Sequence, residues 1–292
     1  MTANIQQNVL SGLQVRQAMR RNPLRLEPEQ NLDLAISVMI KYKASSILIS
    51  SGQEQDLGLL TKTDLTALYY AGLPLETVLA DVFIAPILTC SAEESLENAL
   101  SKMLDQGVKR IYVQDSEQGS IVGSMSYADI VGLLYRFCCR CDKSLFHSSK
   151  RPDLDKTLLV RDIMQQGAVS CAAGDNIGQA LELLALQSFS ALLVQDVQPG
   201  LPGVISKTDL ILAYRHHIPL EAEIQDIASA PALSCHPEEP LVQALQRMIL
   251  ADVHRLFVSG QNTLEIQGVL SLTDAARARS GSCRACSASR LQ

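Results

Sequence analysis

The 292-residue sequence lacks the features of several protein classes. It contains no run of about 18 apolar residues, so no membrane-spanning helix is predicted. The first residues, MTANIQQNVLSGLQ, have neither the basic start nor the apolar stretch of a secretory signal, and a cytoplasmic location is expected. It has no long basic run and its net charge is -6, which argues against nucleic acid as a main partner.

Sequence motifs typical of enzymes are missing as well. The chain has no Gly-x-Ser-x-Gly, no Walker loop, no Gly-x-Gly-x-x-Gly behind a strand and no His-Glu-x-x-His. We therefore expect a non-catalytic protein. Apolar residues make up 47% and charged residues 19% of the chain, which is typical of a folded globular protein of about two domains.

The most informative feature present is a sequence motif, called the phrase below, that occurs four times. Its form is Gly-x-x-Ser/Thr-x-x-Asp, and the copies are Gly58–Asp64, Gly123–Asp129, Gly203–Asp209 and Gly268–Asp274. The Asp residues are 65, 80 and 65 positions apart, so the second pair repeats the first at an offset of 145. This pattern indicates an internal duplication of a unit that is itself duplicated.

Each phrase is preceded by the pattern of a helix and two short strands. Apolar residues at i, i+3, i+4, i+7 and i+8 predict one buried helix face per unit. These faces are Leu32, Ala35, Ile36, Met39 and Ile40; Leu96, Ala99, Leu100, Met103 and Leu104; Ile177, Ala180, Leu181, Leu184 and Ala185; and Leu241, Ala244, Leu245, Met248 and Ile249. Each Asp then opens a further helix, so every unit is predicted as strand, helix, strand, strand, helix.

The repeats divide the chain into seven segments. These are an N-terminal tail (1–11), repeat 1 (12–72), repeat 2 with a Cys-rich end (73–141), a polar linker (142–157), repeat 3 (158–217), repeat 4 (218–280) and a C-terminal tail (281–292). A unit of about 60 residues buries too little surface to be secure alone, so we expect the units to pair.

The tandem unit with its closing phrase resembles the cystathionine beta-synthase (CBS) domain over about residues 12 to 280. The resemblance implies a mixed α/β (α+β) fold in which four repeats pack as two pseudo-twofold pairs, or Bateman modules. The layout is similar to that of the gamma subunit of AMP-activated protein kinase. The resemblance also implies clefts that bind adenosine-containing ligands, here AMP, ADP or ATP.

The same resemblance assigns nucleotide-binding roles to the phrase. The Asp would accept hydrogen bonds from ribose hydroxyls, and the Ser or Thr would lie near a helix N-terminus that favours phosphate. The residues are Thr61 and Asp64, Ser126 and Asp129, Ser206 and Asp209, and Ser271 and Asp274. Helix capping needs the same residue types without a ligand, and it is the alternative interpretation.

Basic pairs distinguish the even repeats from the odd ones. Lys109-Arg110 and His254-Arg255 precede strands in repeats 2 and 4, where the odd repeats have Ser45-Ser46 and Ser190-Ala191. These pairs resemble the His-Arg pairs that face nucleotide phosphates in the gamma subunit of AMP-activated protein kinase. The alternative is a solvated pair at a strand edge.

Cysteine pairs end both halves of the chain at equivalent positions. Four thiolates from Cys138, Cys141, Cys283 and Cys286 would suit zinc or an iron-sulfur cluster, with Cys139 as a spare ligand. Inert thiols and a redox disulfide within each pair are the alternatives. If the halves ran opposite ways, the metal site would have to form between two chains of a homodimer. Cys90 and Cys235 are predicted as buried packing.

Two functional hypotheses follow from these features. The first is a regulator that binds an adenine nucleotide and passes its occupancy to a separate, unidentified protein. The second is an iron-sulfur or zinc protein that senses metal or redox state and uses the repeats as a scaffold.

Overall fold

The computed structural model describes residues 9–52, 55–117, 119–146, 157–187, 189–198, 201–260 and 265–278. Within these ranges eight α-helices and fourteen short strands form four small sheets. The mixed α/β fold expected from the sequence is confirmed. The order strand, helix, strand, strand, helix occurs in all four repeats.

The two repeats of the first half contain the following elements. A short strand, β1 (Arg20–Arg21), lies near the start of repeat 1. Repeat 1 has β2 (Arg25–Leu26), α1 (Leu32–Lys41), β3 (Ser46–Ser51), β4 (Gln55–Thr61) and α2 (Lys62–Tyr70). Repeat 2 has β5 (Thr89–Ser91), α3 (Leu96–Asp105), β6 (Arg110–Gln114), β7 (Ile121–Ser126) and α4 (Tyr127–Phe146).

The second half repeats this order. It begins with a short strand, β8 (Gln165–Gln166). Repeat 3 has β9 (Ser170–Ala172), α5 (Ile177–Leu186), β10 (Ala191–Gln198), β11 (Leu201–Ser206) and α6 (Lys207–Arg215). Repeat 4 has β12 (Ser234–Cys235), α7 (Leu241–Ala251), β13 (Arg255–Ser259), β14 (Ile266–Ser271) and α8 (Leu272–Ala278).

The first helix of each repeat buries the apolar face that its spacing predicts. In α1 the residues at i, i+3, i+4 and i+7, from Leu32 to Met39, are fully buried, and α3, α5 and α7 bury the same four positions. The predicted i+8 position fails in the second half, because Ala185 and Ile249 are exposed. Both lie in the last turn of their helices, at the edge of the buried stripe.

Helix α4 is longer than the sequence patterns indicate. It continues through Phe146, which lies inside the segment assigned to the linker. Between Gly132 and Pro152 the chain has no Gly or Pro to end a helix, which is consistent with this extension.

Each repeat forms an antiparallel hairpin with a parallel strand on one edge. Strands β3 and β4 pair antiparallel, with Ser46 opposite Thr61, and β2 joins β3 in parallel. The same arrangement recurs in β5–β7, β9–β11 and β12–β14. The hairpin leads directly into the second helix of the repeat, which therefore begins at a defined edge of the sheet.

The other edge of each hairpin is completed by a segment from outside the repeat as the sequence delimits it. Strand β1 lies within the bounds of repeat 1 but pairs antiparallel with β7 of repeat 2, and β8, within those of repeat 3, pairs in the same way with β14 of repeat 4. In repeats 1 and 3 single bridges replace these strands, joining Leu59 to Ile84 and Val204 to Ser229.

The chain divides into two compact units that combine equivalent repeats of the two halves. The even unit (residues 1–22, 88–167 and 233–292) contains β5–α4 of repeat 2 and β12–α8 of repeat 4, and the odd unit (23–87 and 168–232) contains β2–α2 of repeat 1 and β9–α6 of repeat 3. Each unit has its own hydrophobic core. Sequence distance therefore does not predict which repeats share a core.

Helix packing joins the two repeats within each unit. In the odd unit α2 packs against α6, where the rings of Tyr69 and Tyr214 stack with centroids 4.9 Å apart. The Tyr69 hydroxyl donates to the Ile218 carbonyl, and the Tyr214 hydroxyl donates to the Leu73 carbonyl. In the even unit α4 packs against α7 and α8.

Candidate functional site

The Ser/Thr-x-x-Asp part of each phrase lies at the start of a helix, where the Asp accepts from the Ser or Thr, and in repeats 1, 3 and 4 the reciprocal bond completes a capping box. Asp64 Oδ2 accepts hydrogen bonds from the backbone N and the Oγ1 of Thr61, both at 2.7 Å. The other three copies make the same two contacts at 2.5 to 2.9 Å. Capping therefore uses one carboxylate oxygen in every copy and holds the carboxylate in place, which leaves Oδ1 for a further contact.

The glycine that opens each phrase is required by a close approach of backbone or side chain. A Cβ on Gly268 would lie 2.3 Å from the Gln165 carbonyl oxygen, and one on Gly123 would lie 2.8 Å from that of Arg20. At Gly58 the nearest atom is a ring carbon of Phe83 at 2.3 Å. In these three repeats the glycine lets the added edge segment cross the hairpin next to the capping box.

In the even unit the added segment occupies the second oxygen of each aspartate. Arg20 Nε donates to Asp129 Oδ1 at 2.6 Å, and Gln165 Nε2 donates to Asp274 Oδ1 at 2.8 Å. The Arg20 side chain is 71% exposed whereas that of Asp129 is only 5% exposed. Arg20 and Gln165 are 145 positions apart, so they are equivalent residues of the two halves.

In the odd unit the second oxygen is left open. Among the residues described, neither Asp64 Oδ1 nor Asp209 Oδ1 has a hydrogen-bond partner. The residues aligned with Arg20 are Ile84, which has no side-chain donor, and Ser229, which bonds there only through its backbone. The four aspartates thus fall into two classes that the phrase itself does not distinguish.

The basic residues of the even repeats lie beside the capping boxes. Arg110 is the cross-strand partner of Ser126, and Arg255 is that of Ser271. Arg110 Nη1 donates to the Oγ of Ser124 at 2.7 Å. Ser124 is buried and is polar, whereas the other three copies of the phrase have an apolar residue at this position. The contact with Arg110 explains the difference.

Positive charge in the even unit is partly withdrawn from water. Desolvation of its ammonium group, and then the charge of Arg255, lower the pKa of Lys109 below its ordinary value although the residue as a whole is exposed. Desolvation also lowers the pKa of Arg255, while the Asp274 carboxylate raises it. His254 is exposed. The structure therefore brings Lys109, Arg255 and Asp274 into electrostatic contact.

Two lysines of the odd unit form a contact that the sequence patterns did not indicate. Lys62 Nζ donates to Thr208 Oγ1 at 2.8 Å, and Lys207 Nζ donates to Thr63 Oγ1 at 2.7 Å, so each reaches across to the other repeat. The signal was the sequence Lys-Thr-Asp in both odd repeats, where the even repeats have Tyr127 and Leu272 in place of the lysine. We name these two lysines the lysine pair.

The side chains of the predicted metal ligands lie outside the described part of the chain. Cys283 and Cys286 lie outside the described residues, and for Cys138, Cys139 and Cys141 only the backbone of α4 is described. No group of three or more His, Cys, Asp or Glu residues in the described ranges is arranged to hold a metal ion.

Cys90 and Cys235 are buried as predicted. Burial is the main cause that raises the pKa of Cys90 to about 11 and that of Cys235 to about 12. Cys171 is buried as well, and its pKa is also raised to about 11. Because the thiolate is the reactive form, these three thiols are unreactive at neutral pH.

None of the helices in the described part of the chain combines the length and the apolar character that crossing a bilayer requires.

Comparison with known families decides the classification. The model of the CBS domain matches residues 79–136, 160–216 and 224–281, which together are more than half of the chain. The chain belongs to the CBS domain family. The resemblance deduced from the four phrases is thereby confirmed, and this CBS protein has the elements of a further repeat before the first matched segment.

Archaeal proteins share both sequence and fold with this CBS protein. The uncharacterized protein MJ1225 of Methanocaldococcus jannaschii is 21% identical over 198 residues, which is 68% of each chain. Its crystal structure superposes with a TM-score of 0.75 and 15% identity, covering 91% of this chain and 99% of that one. A conserved uncharacterized protein from Pyrococcus horikoshii superposes with a TM-score of 0.58 and 17% identity, covering 91% of this chain and all of that one.

Proposed function

We propose that this CBS protein is a non-catalytic regulator that binds an adenine nucleotide, AMP, ADP or ATP, and passes its occupancy to a separate protein. The observation that carries the proposal is the state of Asp64 and Asp209. Each has one oxygen fixed by a capping box and, within the described residues, one without a hydrogen-bond partner. A fixed acceptor of this kind suits the vicinal hydroxyls of a ribose.

The lysine pair supports the choice of a phosphorylated ligand. Lys62 and Lys207 are the first residues of α2 and α6, so their charge adds to the positive ends of two helix dipoles. Lys207 is only 7% exposed, and a buried cation is stabilised by an anion. We propose that these lysines contact the phosphates of a nucleotide whose ribose is held by Asp64 or Asp209.

The basic residues of the even unit support a second anionic contact. Lys109 is exposed and lies close enough to Arg255 for the charge of Arg255 to lower its pKa. A phosphate group there would relieve the repulsion between them, since Arg offers a planar fork of donors and Lys a point charge. We assign the same role to Arg110 and His254, which lie in the equivalent basic pairs.

Regulation follows if the nucleotide has different affinities for two arrangements of the repeats. The related structure of MJ1225 is described as that of a proposed archaeal homologue of γ-AMPK, which supports a regulatory role for a chain of this layout. The regulated protein would respond to the arrangement that the nucleotide favours. We place the protein in the cytoplasm, where adenine nucleotides are abundant.

Calorimetric titration of the intact chain with AMP, ADP, ATP and adenosine tests the proposal. In the double variant Asp64→Asn, Asp209→Asn an amide nitrogen would replace the open oxygen, because the capping box retains the remaining acceptor. We expect affinity to fall about tenfold or more for every ligand, from the loss of charge-assisted hydrogen bonds. Changing both members of the lysine pair to Met should weaken ATP binding but leave adenosine binding nearly unchanged.

The control for these variants is Asn176→Ala. It removes the side-chain cap of α5 in the same unit without altering a phrase. If this control weakens binding as much as the aspartate variants do, the loss reflects stability and not contact with ribose. The proposal is wrong if the intact protein binds none of the four ligands at millimolar concentration.

The cysteine pairs add a separate proposal, namely that Cys138, Cys141, Cys283 and Cys286 hold zinc or an iron-sulfur cluster, within one chain or across a homodimer. Two Cys-x-x-Cys pairs supply the four thiolates that either centre needs. Anaerobically purified protein should show either a broad visible absorption band or stoichiometric zinc. A colourless, metal-free protein whose eight thiols all titrate after unfolding would contradict this proposal.

A further inference from the structure

The four phrase aspartates differ in whether the second carboxylate oxygen accepts a hydrogen bond from the protein itself. In the even unit the Asp129 side chain is 5% exposed and Asp274 is 7% exposed, and each accepts a hydrogen bond on both oxygens. In the odd unit Asp64 and Asp209 accept hydrogen bonds on one oxygen only, within the described residues. A ribose diol that approaches the even unit therefore meets an acceptor that is already used.

We infer that Arg20 and Gln165 decide which carboxylates of this protein take a ribose, by closing those of the even unit. This inference rests on the proposed function and adds to it a division of the four positions into two open and two closed ones. We name Arg20 and Gln165 the latch residues. They act through the aspartates they cover, so they are specificity-determining residues of the binding site.

The fold places the backbone of each latch residue beside the aspartate that it covers. Each latch residue lies on a short strand, β1 or β8, that pairs with the last strand of an even repeat. The glycines Gly123 and Gly268 let that strand approach so closely that its carbonyl oxygen would meet a Cβ there. The same contact is made by a charged side chain in one half and by a neutral amide in the other.

The chemistry of the two latches predicts different strengths. The Arg20 contact is an ion pair whose cationic side is mostly in water, so dissolved salt weakens it. The Gln165 contact joins a neutral donor to a buried carboxylate and responds little to salt. The Asp129 position should therefore open before the Asp274 position as ionic strength rises.

A competing role for Arg20 is direct contact with a phosphate, since an exposed guanidinium is well suited to that. The two roles predict opposite results. If Arg20 is a latch residue, its removal increases nucleoside or nucleotide binding at the even unit. If Arg20 contacts the phosphate, its removal decreases nucleotide binding there. Adenosine has no phosphate, so any gain in adenosine binding reports on the latch alone.

The experiment compares the number of bound ligands per chain, by calorimetry and equilibrium dialysis, with adenosine and AMP as probes. We expect two adenosine sites in the intact chain, those of Asp64 and Asp209. The double variant Arg20→Ala, Gln165→Ala should bind additional ligand, with affinity at the even carboxylates raised about tenfold or more. The matched control is Arg21→Ala, Gln166→Ala, which changes the neighbouring exposed residues of the same two strands and should leave the number unchanged.

A second background separates this inference from the proposed function. Asp64→Asn, Asp209→Asn should bind little adenosine, and adding the two latch substitutions should restore binding through Asp129 and Asp274. If the aspartate variant binds as the intact chain does, the division into open and closed positions is overturned while nucleotide binding stands. If latch removal lowers or does not change binding in both backgrounds, the latch role is excluded. If no variant binds any probe, both proposals fail, and thermal unfolding shows whether each variant is folded.

Discussion

At the scale of single residues, one phrase serves two purposes in this protein. Its Ser or Thr and one oxygen of its Asp cap a helix, and the second oxygen is open or covered according to the neighbouring segment. Capping and ligand binding are therefore compatible interpretations of the same residues. What separates the copies is the residue that lies across from them, such as Arg20 or Ile84.

The phrase glycines should be intolerant of even a methyl group. Gly268→Ala would place Cβ 2.3 Å from a backbone oxygen, so the two strands must separate, and we expect a loss of about 1 to 3 kcal/mol in the free energy of unfolding. At Gly132, inside α4, a methyl group would have no neighbouring atom within 4 Å, and Gly132→Ala should stabilise the protein by about 0.5 to 1 kcal/mol. Urea denaturation measures both. Equal effects of the two substitutions would contradict the close approach.

At the scale of elements, the contact between α2 and α6 shows the near-symmetry of the odd unit most clearly. The stacked rings of Tyr69 and Tyr214, their reciprocal hydroxyl contacts and the crossed lysine pair all relate one repeat to the other. The even unit has Leu134 in place of Tyr69 and Tyr127 in place of Lys62. The two units therefore share a fold but join their repeats by different contacts.

The buried hydroxyl of Tyr69 should make the free energy of unfolding depend on pH in the alkaline range. Burial, and then the charge of Glu221, raise the pKa of Tyr69 from 10.0 to about 12. The unfolded chain loses this proton first as pH rises, so the stabilisation is complete below pH 10 and is lost between pH 10 and 12.

The test compares the intact protein with Tyr69→Phe. The variant should be less stable at pH 8 by about 1 kcal/mol, the value of one hydrogen bond. The difference should shrink as pH rises above 10, because only the intact protein has this proton to lose. Urea midpoints at several pH values measure it, and a constant difference across that range would contradict the predicted pKa shift. Tyr42→Phe, at an exposed ring, is the control.

The elements were predictable because their signals are local. A helix such as α1 shows its buried face in five residues, and a capping box lies within four. The latch residues and the lysine pair were not predictable, since each acts on a residue more than 100 positions away. Strands β1 and β8 are only two residues long, too short for a periodic pattern.

At the scale of the whole molecule, the duplication and the packing divide the chain differently. The sequence divides at the linker between two similar halves, whereas each compact unit takes one repeat from each half. Each half therefore holds part of both hydrophobic cores.

This division predicts the behaviour of the separated halves. A fragment of residues 1–150 would expose the face of α2 that packs on α6 and the face of α4 that packs on α7 and α8. We expect it to aggregate, unfold or self-associate, since large apolar surfaces are not stable in water. Co-expression with residues 151–292 should yield one stoichiometric complex by size-exclusion chromatography. A folded, monomeric fragment 1–150 would contradict the assignment of the two cores.

The segments that complete the sheet edges restrict how the gene of this protein can gain or lose repeats. The hairpin of repeat 2 is completed by β1, which belongs to repeat 1, and that of repeat 1 is bridged by Ile84, which belongs to repeat 2. Deleting a single repeat would leave its neighbour's sheet with an unpaired edge, and the deleted repeat on its own would have an unpaired edge as well. Evolution is therefore expected to duplicate or delete these repeats in pairs. The offset of 145 residues, which spans two repeats, agrees with this expectation.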